Sequence, residues 1–232
     1  MSFWVPPRRP SRELLDDPDL PCGEMRRNLE DLRLVNLHWG GARALERHLL
    51  ARMRALGDRP LRVLDVGAGS GDVAGRLQHR LRAERRAVTV VALDLQWRHL
   101  KAGRLMNRFP PPAVTADAFR LPFAAGAFDF AVSTLFFHHF SPEENRELLS
   151  EISRVARHGF AFLDLRRSRL PALFVSVAGP LLFKSPVSVA DGMASIRQAY
   201  TVEEALRIGE AAGSPVRARR VFPFRWLLAS GP

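Results

Sequence analysis

The chain has 232 residues, 47% of them hydrophobic and 25% charged, with a formal net charge of +11. That length suffices for one α/β domain with a full core, and a lone cysteine, Cys22, excludes a disulfide framework and suits a reducing cytoplasm. The charge raises a nucleic-acid reading, yet all but two of the 35 basic residues are arginine, spread over the chain with no stripe of interleaved aromatics. An acidic protein or an anionic membrane surface stays open as a partner.

Residues 1–22 are rich in Pro and Arg and read as an extended or frayed arm, with charges and prolines where the hydrophobic run of a secretory leader belongs. Helical patterns follow at 24–38 and 41–56. Residues 61–72, LRVLDVGAGSGD, carry the most information. Leu61, Val63, Leu64 and Val66 form a short apolar strand, Gly67, Ala68, Gly69, Ser70 and Gly71 form a turn, and Asp72 stands at a helix N-cap position. A turn without Cβ atoms lets the backbone approach a ligand, and the helix behind it directs free N–H groups there. Dinucleotide enzymes space these glycines G-x-G-x-x-G around a pyrophosphate. Here the spacing is G-x-G-x-G, and Asp65 places a carboxylate at the mouth of the loop, where it repels phosphate and suits an ammonium group.

At this point the chain resembles the class I S-adenosylmethionine-dependent methyltransferases, whose first motif reads much like VLDVGAGSG. Their cofactor carries an ammonium, a sulfonium cation and no phosphate. The resemblance implies an α/β fold, a Rossmann-like seven-stranded, mostly parallel sheet with helices on both faces and an antiparallel C-terminal strand. It covers roughly 61–230, so 61–232 is expected to form the methyltransferase domain and 1–60 an arm and lid helices over the cofactor.

The following segments fit that plan. Residues 88–94, VTVVALD, read as a strand ending in Asp94, roughly 20 residues past the loop, where an acid accepts hydrogen bonds from a ribose, with Leu95 beside it; a helix cap is the alternative role. In PAVTADAFRLPF the resemblance assigns the adenine to Asp117, Ala118 and Phe119, against an ordinary Asx-turn. Residues 128–140, FDFAVSTLFFHHF, read as a central strand that opens at Ser133 and Thr134, with Asp129 structural at its start. Ligands sit beyond the carboxyl ends of such strands, which puts Ser133 beside the cofactor. The segment lacks the (D/N/S)PP(Y/F) motif of amino-methylating nucleic-acid enzymes, and the paired glutamates of arginine methyltransferases are absent too.

Neighbouring histidines on an extended segment point to opposite sides, so one of His138 and His139 is expected to face the pocket. A neutral imidazole there removes a proton from an acidic hydroxyl; His138, nearer the strand end, is the first candidate. The alternative is that both shape the loop. No Cys or carboxylate cluster stands at ligand spacing, so no metal is expected.

Strand five, GFAFLDL, precedes an unusually apolar insertion at about 168–199, which either caps the acceptor site or packs on the core. Its longest apolar run, 170–183, has 14 residues and is interrupted by Pro180, too short to span a bilayer. FFHHF, DLRRS and DG-x-x-S-I-R-x-AYT are together similar to methyltransferases related to ubiquinone and menaquinone biosynthesis. That resemblance implies an acceptor site bordered by Arg166, Arg167, Asp191, Ser195, Arg197 and Tyr200. The expected activity is O-methylation of a phenolic, quinol or polyketide-type molecule, with C-methylation second. An RNA-directed enzyme, a non-catalytic cofactor-binding relative and, more distantly, a nicotinamide dehydrogenase are the alternatives.

Overall fold

The computed structural model describes residues 5–38 and 41–231; residues 1–4 of the arm and residues 39–40 lie outside the described residues. Seven strands form one sheet in the order β3-β2-β1-β4-β5-β7-β6. They are β1 (Leu61–Val66), β2 (Val88–Asp94), β3 (Ala113–Thr115), β4 (Phe130–Thr134), β5 (Phe160–Leu165), β6 (Val216–Val221) and β7 (Arg225–Ser230). The first five run parallel, while β7 lies antiparallel to both β5 and β6. The order reverses between β1 and β4. That switch point opens a crevice beyond their carboxyl ends, where α/β sheets bind ligands.

Helices cover both faces, as the apolar periodicity requires. On one face α2 (Gly41–Arg54) and α3 (Asp72–Ala83) press Leu45, Leu49, Met53 and Leu77 against Val63 and Val90. On the other, α5 (Pro142–Val155) and α8 (Val202–Ala211) pack Leu148, Ile152 and Ile208 against Leu64, Phe162 and Trp226. Each such buried aliphatic side chain contributes roughly 1.5–3 kcal/mol. Both α5 and α8 start with capping boxes, Ser141 with Glu144 and Thr201 with Glu204. Ahead of α3, Gly71 adopts a positive φ of 66° and takes the N-cap. Asp72 is therefore the first helical residue, one position from the expected cap, because the left-handed turn needs the residue without a Cβ.

The remaining helices gather at the crevice: α1 (Cys22–His38), α4 (Trp97–Met106), and the insertion's α6 (Arg169–Leu182) and α7 (Pro186–Gln198). Among the described residues, no helix is long and apolar enough to cross a membrane. The described part of the arm is anchored instead of frayed. Arg9 donates its backbone N–H to the Arg197 carbonyl, and Arg8 reaches the Gln198, His138 and Phe140 carbonyls. The backbone N–H groups of Leu14 and Leu15 donate to the Asp191 carboxylate.

Candidate functional site

The crevice holds a cleft of about 1470 Å³, walled by the glycine loop, the ends of β2 and β4, the turn 116–119, α1 and the arm. Gly67 and Gly69 carry φ of 67° and 55°. A Cβ on Gly67 would run into the Phe136 ring, whereas one on Gly69 meets nothing nearer than Leu29 at 4.0 Å. The backbone at Gly69 is thus open for a ligand to approach.

Acids surround this loop at three depths. Asp65 lies beneath it, buried, with Oδ2 lacking any partner. Burial, then the Asp72 and Asp94 carboxylates, push its pKa well above the carboxylate range. Asp72 faces the cleft; burial raises it against hydrogen bonds from Ser70 and Asn36. Asp94 is half-buried in the wall, accepting from Gly69 N–H and Gln96 N–H, each at 2.8 Å. Leu95 beside it is 65% exposed at the rim. Asp117 is exposed and closes an Asx-turn by accepting from Phe119 N–H at 2.9 Å, which leaves its Oδ2 toward the same cleft. Ala118 lies buried in the wall, and Phe119 meets Phe140 edge-on at 5.0 Å, both rings lining the cleft.

These features fit S-adenosylmethionine. Asp72, raised by burial, lines the cleft, while Asp65 sits behind the loop outside the cleft lining with Oδ2 unpartnered, so the two add negative charge beside and beneath the loop that suits a cationic ligand end. Asp94 stands in the cleft wall tied to the loop backbone, and Phe119 and Phe140 add aromatic rings to the same wall. Ser133 is a correction. Its hydroxyl donates to the Val66 carbonyl at 2.7 Å, bracing β4 to β1 outside the cleft lining. Strand alternation instead turns Thr134 into the cleft, buried and with its hydroxyl unpartnered.

The histidines also depart from expectation. Residues 137–139 form a 3₁₀ turn, so the two rings stack (4.4 Å between centroids, 28° between planes) and both line the cleft. His138 is clamped: its Nδ1 lies 2.7 Å from Asp164 Oδ1 and its Nε2 3.2 Å from Glu13 Oε1. Burial alone would neutralise it, but the Asp164 and Glu13 carboxylates overrule that and raise its pKa to about 10. Burial works against Glu13 likewise, yet His138 holds it near 2. His139 is lowered by burial and then by the neighbouring His138 charge. Its Nδ1 lies 3.5 Å from Asp16 and its Nε2 3.9 Å from Glu13. His138 therefore keeps its proton, and His139 is the neutral imidazole. Glu13, His138 and His139 bring three ligand-type atoms within 4.8 Å of one another.

Beside the cleft lies a small, mostly apolar chamber of about 90 Å³, walled by α1, α6, α7 and the β6–β7 turn. Glu13, Leu32, Leu135 and Ser195 belong to both walls. Leu135 has a φ of +55°, a costly conformation for a leucine, at the junction of the two spaces. Of the residues expected at the acceptor, Asp191 and Ser195 line this chamber. Asp191 is raised to about 6 by burial, but its oxygens hold the Leu14 and Leu15 N–H groups and the Asn28 amide. The other four do not line it. Arg167 is buried against Glu204 (2.6 Å) and the Ala199 and Pro6 carbonyls, tying arm and insertion to α8. Arg166 pairs in a short bridge with Tyr200, which donates its hydroxyl to the Phe140 carbonyl at 2.7 Å. Arg197 is exposed on the outer side of α7. Glu13, Asp16, His99, Thr134 and Leu135 complete the site without having been singled out; an acid in a Pro- and Arg-rich arm carries no periodic signal.

A glycine loop, a ribose-position acid and a switch-point crevice together define a nucleotide-cofactor site of the methyltransferase type. Residues 63–159 match the family described as "Methyltransferase domain". The chain is 34% identical over 161 residues, 68% of its length, to a demethylmenaquinone methyltransferase of Beutenbergia cavernae. It is 40% identical over 95 residues, 40% of its length, to a malonyl-[acyl-carrier protein] O-methyltransferase of Geobacter sulfurreducens. It spans 63% and 33% of the lengths of these two relatives. A SAM-dependent methyltransferase structure from Aquifex aeolicus superimposes with a TM-score of 0.61 at 19% identity, covering 88% of this chain and 97% of that one; this likeness concerns the fold. The chain belongs to the class I S-adenosylmethionine-dependent methyltransferases.

Proposed function

We propose that this protein transfers a methyl group from S-adenosylmethionine to a hydroxyl of an apolar small molecule of phenolic, quinol or polyketide type. The observation that carries this reading is the position of His139 in the wall of the cofactor cleft, next to an apolar chamber whose wall includes α6 and α7; burial lowers its pKa, which suits a proton acceptor. Of the named relatives, the demethylmenaquinone methyltransferase supports a quinone-type acceptor and the malonyl-[acyl-carrier protein] O-methyltransferase supports transfer to oxygen.

The cofactor supplies an already activated methyl on a sulfonium. In this reading Asp65 and Asp72 hold its ammonium end, Asp94 its ribose, and Asp117, Ala118 and Phe119 its adenine. The chamber orients the acceptor and excludes water, and such alignment supplies roughly 7–11 kcal/mol of barrier reduction. His139 takes the hydroxyl proton. His138 stays protonated between Asp164 and Glu13 and fixes the turn that presents His139. Arg225, buried in the chamber wall with Nη1 unpartnered, offers a charge for an oxygen of the acceptor. C-methylation of an electron-rich ring is the second reading, favoured by the demethylmenaquinone relative; product analysis separates the two.

The test is His139→Ala. S-adenosylmethionine affinity should stay within a few-fold, while transfer to a phenolic acceptor falls about 10²–10⁴-fold. An unchanged transfer rate would remove His139 from the chemistry.

A further inference from the structure

Among the described residues, the outer face of α6 has no partner in the fold. Leu170, Leu173, Val177 and Leu181 are 48%, 61%, 66% and 88% exposed, and they recur along one line of the helix. Phe174, 38% exposed beside that line, also forms part of the chamber wall. The opposite side, Pro171, Val175 and Gly179, is buried. Between Arg169 and Lys184 no side chain is charged, and the Ser176 hydroxyl is satisfied by the Leu173 carbonyl at 3.0 Å. Scattered exposed leucines are ordinary, but a contiguous apolar patch marks an interaction surface. The β6–β7 turn adds a second apolar point: Phe222 is 90% exposed, and Pro223 and Phe224 behind it wall the same chamber.

Charge selects the occupant. At the start of α6, Arg9, Arg169 and Arg197 share the lining of a separate open pocket of about 420 Å³. The bond from Arg9 N–H to the Arg197 carbonyl fixes the arm against α7 there. A second copy of a chain with net charge +11 would bring arginines against arginines. A bilayer with anionic headgroups offers the complement: phosphates for the arginines and acyl chains for the leucines. At 14 residues, α6 is too short to span a membrane and suited to lying in its surface.

We propose that α6 docks this protein on an anionic lipid bilayer, with Arg9, Arg169 and Arg197 on headgroups, so that an acceptor dissolved in the bilayer enters the chamber past Phe174. The docking stands on the surface alone; the entry route rests on reading the chamber as the acceptor site.

The test is flotation of the full chain with vesicles of phosphatidylcholine alone or mixed with phosphatidylglycerol. The chain should float with the mixed vesicles and not with the neutral ones. Val177→Glu/Leu181→Glu, and the uncharged Val177→Ser/Leu181→Ser, should lower the bound fraction's partition at least about tenfold. Neither residue lines the chamber, so circular dichroism and S-adenosylmethionine titration of both variants should match the original chain. Equal flotation of original and variants, or no flotation with mixed vesicles, would overturn the docking. So would a dimer in ultracentrifugation that these substitutions dissociate, since the face would then be an interface between copies. His139→Ala should float normally while losing transfer, so failure of the chemistry and failure of the docking are read separately.

Discussion

Replacing Asp164 by Asn removes the stronger of the two carboxylates that hold the His138 proton. His138 stands at a pKa of about 10 instead of 6.5 because Asp164 and Glu13 outweigh its burial. That difference couples its protonation to folding by on the order of 5 kcal/mol. The sign follows from the raised value: this stability is fully present below about pH 6.5 and is lost as pH rises toward 10. Across pH 7–9 the folded state carries a proton that the unfolded state has released, so unfolding free energy should fall by about 1.4 kcal/mol per pH unit from this group. Asp164→Asn should lose about 3–5 kcal/mol at pH 7, because one member of a buried pair is gone, and its pH slope should be shallower by nearly one proton. Urea unfolding of both chains at pH 7, 8 and 9 measures this; groups other than the clamp contribute equally to both and cancel in the difference. Parallel slopes would refute the clamp and return His138 to the list of proton acceptors.

His139 should give a transfer rate that is level above pH 7 and falls at acid pH, since burial lowers its pKa and only its neutral form accepts a proton; a rate still climbing between pH 7 and 9 would speak against it. Gly67→Ala sets a methyl against the Phe136 ring at a positive φ, and calorimetry should show S-adenosylmethionine affinity reduced at least tenfold by that strain. Asp94→Ala should abolish cofactor binding with the fold intact, and unaltered affinity would remove the ribose assignment. Gly192→Leu projects into the apolar chamber, where a Cβ meets only Val175 at 3.4 Å; it should raise the acceptor KM about tenfold or more while leaving cofactor affinity unchanged.

The central strands were legible because β1 and β2 are announced locally by a buried run followed by a glycine turn or an acid. Residues 88–94 formed a strand with the expected bounds, and the expected antiparallel C-terminal strand is β7. Asp65, Asp94 and Asp117 lie within or just after strands, so their place toward the carboxyl end of the sheet was legible in the same way. The acceptor side was not. Arg166, Arg167, Arg197 and Tyr200 share one stretch of chain, yet whether such a residue faces a chamber or a carbonyl depends on how α6, α7 and the arm meet. Arg167 meets Glu204 from another helix and Pro6 from the arm, contacts that no local pattern encodes. The two histidines were misjudged through one backbone detail. Alternation holds on a strand, but a 3₁₀ turn puts neighbouring rings side by side.

Glu13 is the residue whose discovery changes the picture most, because it faces cleft and chamber together and comes from the arm. It accepts from Ser195 Oγ at 2.5 Å and from the Gln198 amide at 2.9 Å, besides pairing with His138. Glu13→Gln keeps the shape and those neutral partners but removes a negative charge from beside the His138 imidazolium. If Glu13 acts as a counter-charge, losing its negative charge leaves only Asp164 opposite the imidazolium, and the site then attracts a sulfonium less relative to a neutral thioether. S-adenosylmethionine should weaken relative to S-adenosylhomocysteine by roughly fivefold, about 1 kcal/mol for unit charges several ångströms apart in a partly buried site. If Glu13 only latches the arm, both ligands should weaken by the same factor. Parallel titrations of the two ligands into the original chain and Glu13→Gln therefore decide whether the arm contributes charge to the methyl-transfer site or merely closes it.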